Sequence, residues 1–152
     1  MAHRLELLRS FDNMPFIWNI SSTVGTQTSE SNGTSDVRLI KVLLNLIFES
    51  RPPRLMHPSL CAAPPLTDQM DHITAFWIYY LQFETRDHRV ATPGAIQPAS
   101  QGAISWNSEI VRLNSLAAQN NFAKWERLPQ HNGCSEWLRS ELTSVMFTAP
   151  MR

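Results

Sequence analysis

From Val24 to Asn45 the chain reads Val-Gly-Thr-Gln-Thr-Ser-Glu-Ser-Asn-Gly-Thr-Ser-Asp-Val-Arg-Leu-Ile-Lys-Val-Leu-Leu-Asn. Its first part is almost wholly Ser, Thr, Gly, Asn and Gln, so residues 21–35 are expected to be an exposed loop. Where the loop ends, Ser35 offers an N-cap oxygen and Asp36 faces the positive end of a helix dipole. Val37, Ile40, Leu44, Ile47 and Phe48 then recur at helical spacing, which predicts a helix over residues 36–49. Leu39 and Leu43 widen its apolar face, so burial on more than one side is expected. Arg51-Pro52-Pro53 stops it.

The rest of the chain must cover that helix. Thr67 or Asp68 is the expected cap of a second helix, in which Ile73, Phe76, Trp77, Tyr80 and Leu81 form one stripe. Ser105 or Asn107 can cap a third, carrying Ile110, Leu113 and Leu116 with Val111 alongside. Phe122, Trp125 and Leu128 predict a further turn or two before Pro129. Ser135 can cap a last helix with Leu138, Leu142, Val145 and Met146 on one face and Trp137 flanking it. Five prolines between 52 and 65 and the Pro93-Gly94 pair mark the intervening loops. At the N-terminus, residues 2–10 fit a short helix with Leu5 and Leu8 on one side. Phe11, Met14, Phe16, Ile17, Trp18 and Ile20 are too apolar for a free tail, and 16–20 reads equally as a short strand. The sum is an all-α domain with little or no sheet.

Composition bounds the function. At 152 residues with 43% hydrophobic and 17% charged content, one globular domain is expected, and not a disordered chain. Thirteen basic and thirteen acidic residues cancel, so the summed field steers neither nucleic acid nor an anionic membrane. No run of about 18 apolar residues exists, and membrane insertion is not expected. Charges within Met1-Ala2-His3-Arg4-Leu5-Glu6 do not suit a Sec-type leader. Cytoplasmic synthesis follows, with non-classical export the remaining route to the periplasm or envelope. Cys61 and Cys134 leave a disulfide and two free thiols both open.

Three groups of residues resemble one family. Val24-Gly25 with Asp36-Val37-Arg38 and Leu43-Leu44-Asn45 is similar to the leading loop and first helix of the peptidoglycan-binding-like domain, a three-helix module attached to bacterial cell-wall enzymes. Thr74, Ile78 and Leu81-Gln82 resemble its second helix. Asp87-His88-Arg89-Val90, Pro93-Gly94 and Arg112-Leu113-Asn114 resemble its closing turn and third helix. The resemblance spans residues 21–118, leaving an N-terminal extension (1–20) and a C-terminal helical extension (119–152) with one or two added helices. It implies a non-catalytic module that recognises cell wall or targets a partner to it. The family's usual pocket, near the start of the second helix and the closing loop, implies ligand contacts from Asp71, Thr74 and Arg89, with Trp106 nearby. Two departures from the pattern favour another outcome: no Asp-Gly pair occurs, and Asp71 stands where a glycine is usual. That outcome is a structural or adaptor subunit of a secretion or contractile-injection apparatus that keeps the fold without the glycan site.

Chemistry read from the residues themselves is sparse. Asp68 and His72 would share a helix face, but with no third ligand at metal spacing the expected role is an ion pair at the helix start. Cys134 with His131 lacks the local setting of a nucleophile and base, and the Asn-Gly of His131-Asn132-Gly133-Cys134 reads as a turn. No Gly-x-Ser-x-Gly and no phosphate-cradling glycine cluster occurs. Neither catalysis, a cofactor nor a metal is expected. Of five tryptophans, Trp77 and Trp125 fall in apolar stripes and are expected in the core. Trp106, between Ser105 and Asn107, and Tyr79, off its helix's stripe, are the expected exposed aromatic contacts.

Overall fold

A computed structural model describes residues 1–25, 33–50, 62–84, 94–99, 108–143 and 145–147. In chain order the elements are β1 (His3–Phe11), β2 (Met14–Asn19), β3 (Val24–Gly25), α1 (Thr34–Ser50), α2 (His72–Glu84), β4 (Ala95–Ile96), α3 (Glu109–Asn120), α4 (Phe122–Glu126), α5 (Glu136–Leu142) and β5 (Val145–Phe147), with a 3-10 turn at Leu128–Gln130. The architecture mixes helices with two small sheets. The all-α, helical-bundle expectation is therefore wrong.

The error lies chiefly at the two ends of the chain, and also at Val24–Gly25 and Ala95–Ile96, buried strand residues within segments expected to be loops. Residues 3–11 are a strand, not a helix. Antiparallel pairing runs from His3↔Asn19 to Glu6↔Phe16, slips through a bulge, and resumes at Phe11↔Met14. Leu5 is fully buried while Arg4 and Glu6 on the opposite face are half-buried, a period of two that the Leu5/Leu8 spacing masks. The two-residue hairpin loop is Asp12-Asn13, with φ of 51° and 64°. Two left-handed residues in succession are what a type I′ hairpin needs, and Asp and Asn adopt that conformation more readily than other side-chain-bearing residues. At the C-terminus, Val145 and Met146 do not extend the helical stripe. They belong to β5, which pairs parallel with β1 at Arg4↔Val145 and Leu5↔Met146. The sheet order is β2-β1-β5, and a separate ribbon pairs Val24↔Ile96 and Gly25↔Ala95.

Helix α1 is the axis of the core. Val37, Leu39, Ile40, Val42, Leu43, Leu44 and Leu46 are all fully buried, as expected of a helix apolar beyond a single stripe. It packs against α3, α4, α5 and β3. Each such side chain contributes about 1.5–3 kcal/mol of transfer free energy, and α1 supplies more of the buried core than any other described element. Its start differs from expectation. The backbone of Val37 bonds to Gly33 O at 2.8 Å. Asp36 is buried and takes hydrogen bonds from Ser22 N (3.0 Å) and Ser22 Oγ (2.6 Å), fastening the preceding loop.

Three amides in the segments that carry the family resemblance act as clamps. Asn45 Nδ2 donates to Lys41 O (2.8 Å) and to Pro64 O (3.0 Å), tying the proline-rich loop to α1. Gln82 reads both sides of the closing turn, donating to Ala95 O (2.9 Å) and accepting from Gly94 N (2.8 Å). Asn114 is fully buried and makes four bonds: Oδ1 accepts from Trp18 N (2.9 Å) and Trp125 Nε1 (3.0 Å), and Nδ2 donates to Trp18 O and Ile110 O (both 2.8 Å). Through Asn114 the N-terminal hairpin is bolted to α3. Phe16 stacks on Trp125 at 4.8 Å, so the hairpin belongs to the same core. Trp77 and Trp125 are buried, as their stripes predict.

Candidate functional site

The sequence-predicted site residues do not converge on an open pocket among the described residues. Asp71 caps α2, in place of Thr67 or Asp68. Its Oδ1 accepts from Thr74 N (2.7 Å) and Thr74 Oγ1 (2.9 Å). Its Oδ2 lies 2.6 Å from Lys41 Nζ as an ion pair, off the hydrogen-bonding angle. Lys41 is wholly buried and also donates to Thr67 Oγ1 (2.7 Å) and Gln69 O. Burial raises the Asp71 pKa, but the Lys41 ammonium and the bonds from Thr74 outweigh it and hold the carboxyl below its ordinary 3.8. Thr74 is fully buried. Asp71 and Thr74 thus form one closed structural node. Tyr79 is separate and 44% exposed. Its ring lies over the turn at Gly94, whose φ of +82° already calls for glycine and where an added Cβ would sit 2.6 Å from the ring. Arg89 and Trp106 lie outside the described residues.

The other sequence candidates also resolve. Asp68 precedes α2 and pairs with Arg38 at 2.8 Å, so it does not share a helix face with His72. Cys134 is buried, donates to Leu128 O (3.2 Å), and has its thiol pushed up to about 11 by burial, against the pull of Arg139 and Arg38. A thiol held protonated is a poor nucleophile. No group of three metal-ligating side chains occurs among the described residues. No helix there is long and apolar enough to cross a membrane.

Two concavities stand out among the described residues. One, between α2, β4 and α3, is lined mainly by Ile78, Leu81, Ile96, Leu113 and Leu116 and holds about 30 Å3, room for a water or two. The other is a cleft of about 500 Å3 with a mixed polar and apolar lining, within the range of small-ligand sites. The end of α1 supplies Glu49, α4 and its C-cap supply Lys124 and Arg127, and the loop before α5 supplies Gln130, His131 and Asn132.

Local structure fixes each of these groups. Asn121 caps α4 by accepting from Lys124 N (3.1 Å), and Lys124 and Arg127, three apart, project to the same side. His131 Nδ1 accepts from Gly133 N (2.9 Å), which places the imidazole proton on Nε2. That proton points at Glu49 Oε1, 3.1 Å away, and Lys124 Nζ donates to Glu49 Oε2, also at 3.1 Å. Gly133 closes the loop because any Cβ there would meet Leu66 Cδ2 at 2.8 Å. Partial burial raises the Glu49 pKa, but the bonds from Lys124 and His131 more than offset this and hold it below its usual 4.5.

Sequence reasoning missed this cleft. Glu49 and His131 are 82 positions apart. The only local signals are a carboxylate in the last turn of a helix, where the dipole disfavours it, and the His-Asn-Gly turn. Comparison of the chain with protein-family models, with curated proteins and with solved structures finds no match.

Proposed function

We propose that this chain is a non-catalytic binding module that recognises bacterial cell wall or targets a partner to it. The observation carrying this reading is the cleft of about 500 Å3 between α1, α4 and the 130–133 loop. Charged and amide side chains line it together with Leu66 and Ala123, a mixed lining that suits a polymer bearing amides, carboxylates and short apolar side chains. Each wall carries its own hydrogen bonds: Asn45 to Pro64 O, Lys124 N to the Asn121 cap, and Gly133 N to His131 Nδ1. The fold order also supports the reading. Helices α1, α2 and α3 follow one another with a leading loop and a closing turn joined by the β3–β4 ribbon. Co-sedimentation of the purified chain with peptidoglycan sacculi tests it. Retention at moderate salt is the expected result, and its absence rejects the reading.

A second reading is an adaptor subunit of a secretion or contractile-injection apparatus. It is favoured by Trp137 on α5, which is 70% exposed, since a bare tryptophan is a common protein-contact anchor. Stable co-purification with one partner, lost in Trp137→Ala, is its expected signature. A chain that stays solitary in its native host argues against it.

A further inference from the structure

Resting on the wall-binding reading, we infer that the cleft takes the free carboxylate end of a wall peptide, and that Glu49 holds that carboxylate's place until ligand displaces it. Four observations converge. Glu49 offers its two oxygens to two donors from different elements, His131 Nε2 and Lys124 Nζ, each at 3.1 Å. The donors are therefore already set for the two oxygens of one planar anion. Next, Glu49 is poorly placed for a purely structural role. It sits in the last turn of α1, which carries no basic residue, so the helix dipole opposes its charge. Its side chain is 39% exposed, and that of Lys124 57%, so water already competes for the pair.

Third, the charges around the cleft do not cancel. Two fixed cations, Lys124 and Arg127, face one carboxylate, and Arg127 makes no ion pair among the described residues. Neutral His131 still donates to a carboxylate, because Gly133 N occupies Nδ1. Beside these groups, Gln130 and Asn132 present amides suited to a peptide backbone. Finally, no Trp, Tyr or Phe among the described residues lines the cleft, so none of them offers a sugar ring a stacking platform there. The peptide of the wall fits, and the glycan does not.

The test is a titration of the full, isotope-labelled chain, followed by amide resonances. The probes are a muramyl tripeptide with its terminal carboxylate free and the same compound as its terminal amide. The acid is expected to shift Lys124, Asn132 and Gly133, and the amide to bind at least tenfold more weakly. Arg127→Gln should weaken the acid about tenfold. Glu49→Gln, with Glu49→Ala as its repeat, should strengthen it severalfold, because an internal competitor is gone. A scaffold role for Glu49 predicts weakening instead. Equal binding of acid and amide, weaker binding by both Glu49 variants, or equal competition by inorganic phosphate overturns the inference. If sacculi still retain the chain in that case, the wall-binding reading stands without it. If neither sacculi nor either probe binds, both fail.

Discussion

Among the ion-paired side chains of helix α1, Lys41 and Glu49 are treated in opposite ways. Lys41 has no exposure, and its ammonium meets a carboxylate, a hydroxyl and a backbone carbonyl supplied by the 67–71 segment. Two hydrogen bonds and one ion pair surround the ammonium, so its charge is matched within the fold. Glu49 lies at the helix end, 39% exposed, between two donors that keep contact with solvent. The chemistry is alike in both, an ammonium beside a carboxylate. Burial decides the outcome. A sealed pair stabilises one conformation, whereas an open pair beside a further cation, Arg127, keeps the capacity to exchange one anion for another.

The largest expected effect breaks the sealed node. Asp71→Ala leaves the Lys41 charge buried without its partner, which costs about 3–5 kcal/mol, and it also removes the cap of α2. Urea unfolding should show the midpoint fall accordingly. A loss below about 1 kcal/mol would mean that the node is as open as the cleft. The same node sets a pH dependence. The folded pKa of Asp71 is depressed, so its contribution is complete above about pH 3.8 and disappears as pH falls through the folded value. Stability should therefore drop on acidification below that point, and the drop should be shallower in Asp71→Asn.

The open pair predicts the contrary. Glu49→Gln should change stability by about 0.5 kcal/mol or less, because exposed pairs contribute little and the helix dipole disfavours this carboxylate. Thermal and urea midpoints that stay in place while wall binding changes would sharpen the contrast. A large loss of stability would place Glu49 with Lys41.

How much of this could be read from the sequence follows the same division between local and distant. Helix α1 and the Ser135 cap were legible because each is encoded within a few neighbouring residues. Ser135 Oγ accepts from Leu138 N, as the cap-plus-stripe pattern predicts. Buried Trp77 and Trp125 were legible for the same reason. The N-terminal strand was not, because Leu5 and Leu8 satisfy a helical spacing and only the Asp12-Asn13 turn signals a hairpin. Asp71 stands out in the sequence as a departure from the family pattern, but its role as the α2 cap does not, since Thr67 or Asp68 is the expected cap. Its partner Lys41 lies thirty positions upstream in a run that reads as apolar helix, so its role as a buried counter-ion was invisible. The cleft was less legible still, since α1, α4 and the 130–133 loop contribute to it with no shared motif.

A third carboxylate falls between the two extremes and carries the smallest expected effect. Glu109 opens α3 beside the small apolar concavity, where Gln82 Nε2 lies 3.4 Å from its Oε1. Burial raises its pKa above the usual 4.5, and the backbone bond from Gln97 offsets only part of that. The sign is opposite to that of Asp71. The folded protein holds this proton more tightly than the unfolded chain, so stability falls as pH rises from about 4.5 through the folded value. Glu109→Gln keeps the acceptor oxygen and removes the charge. It should therefore raise the urea midpoint at neutral pH, by about 0.5 kcal/mol or less, and abolish this slope. A variant less stable at neutral pH would mean that Glu109 is held by a cation, as Glu49 is, and that its position at the positive end of the α3 dipole outweighs its burial.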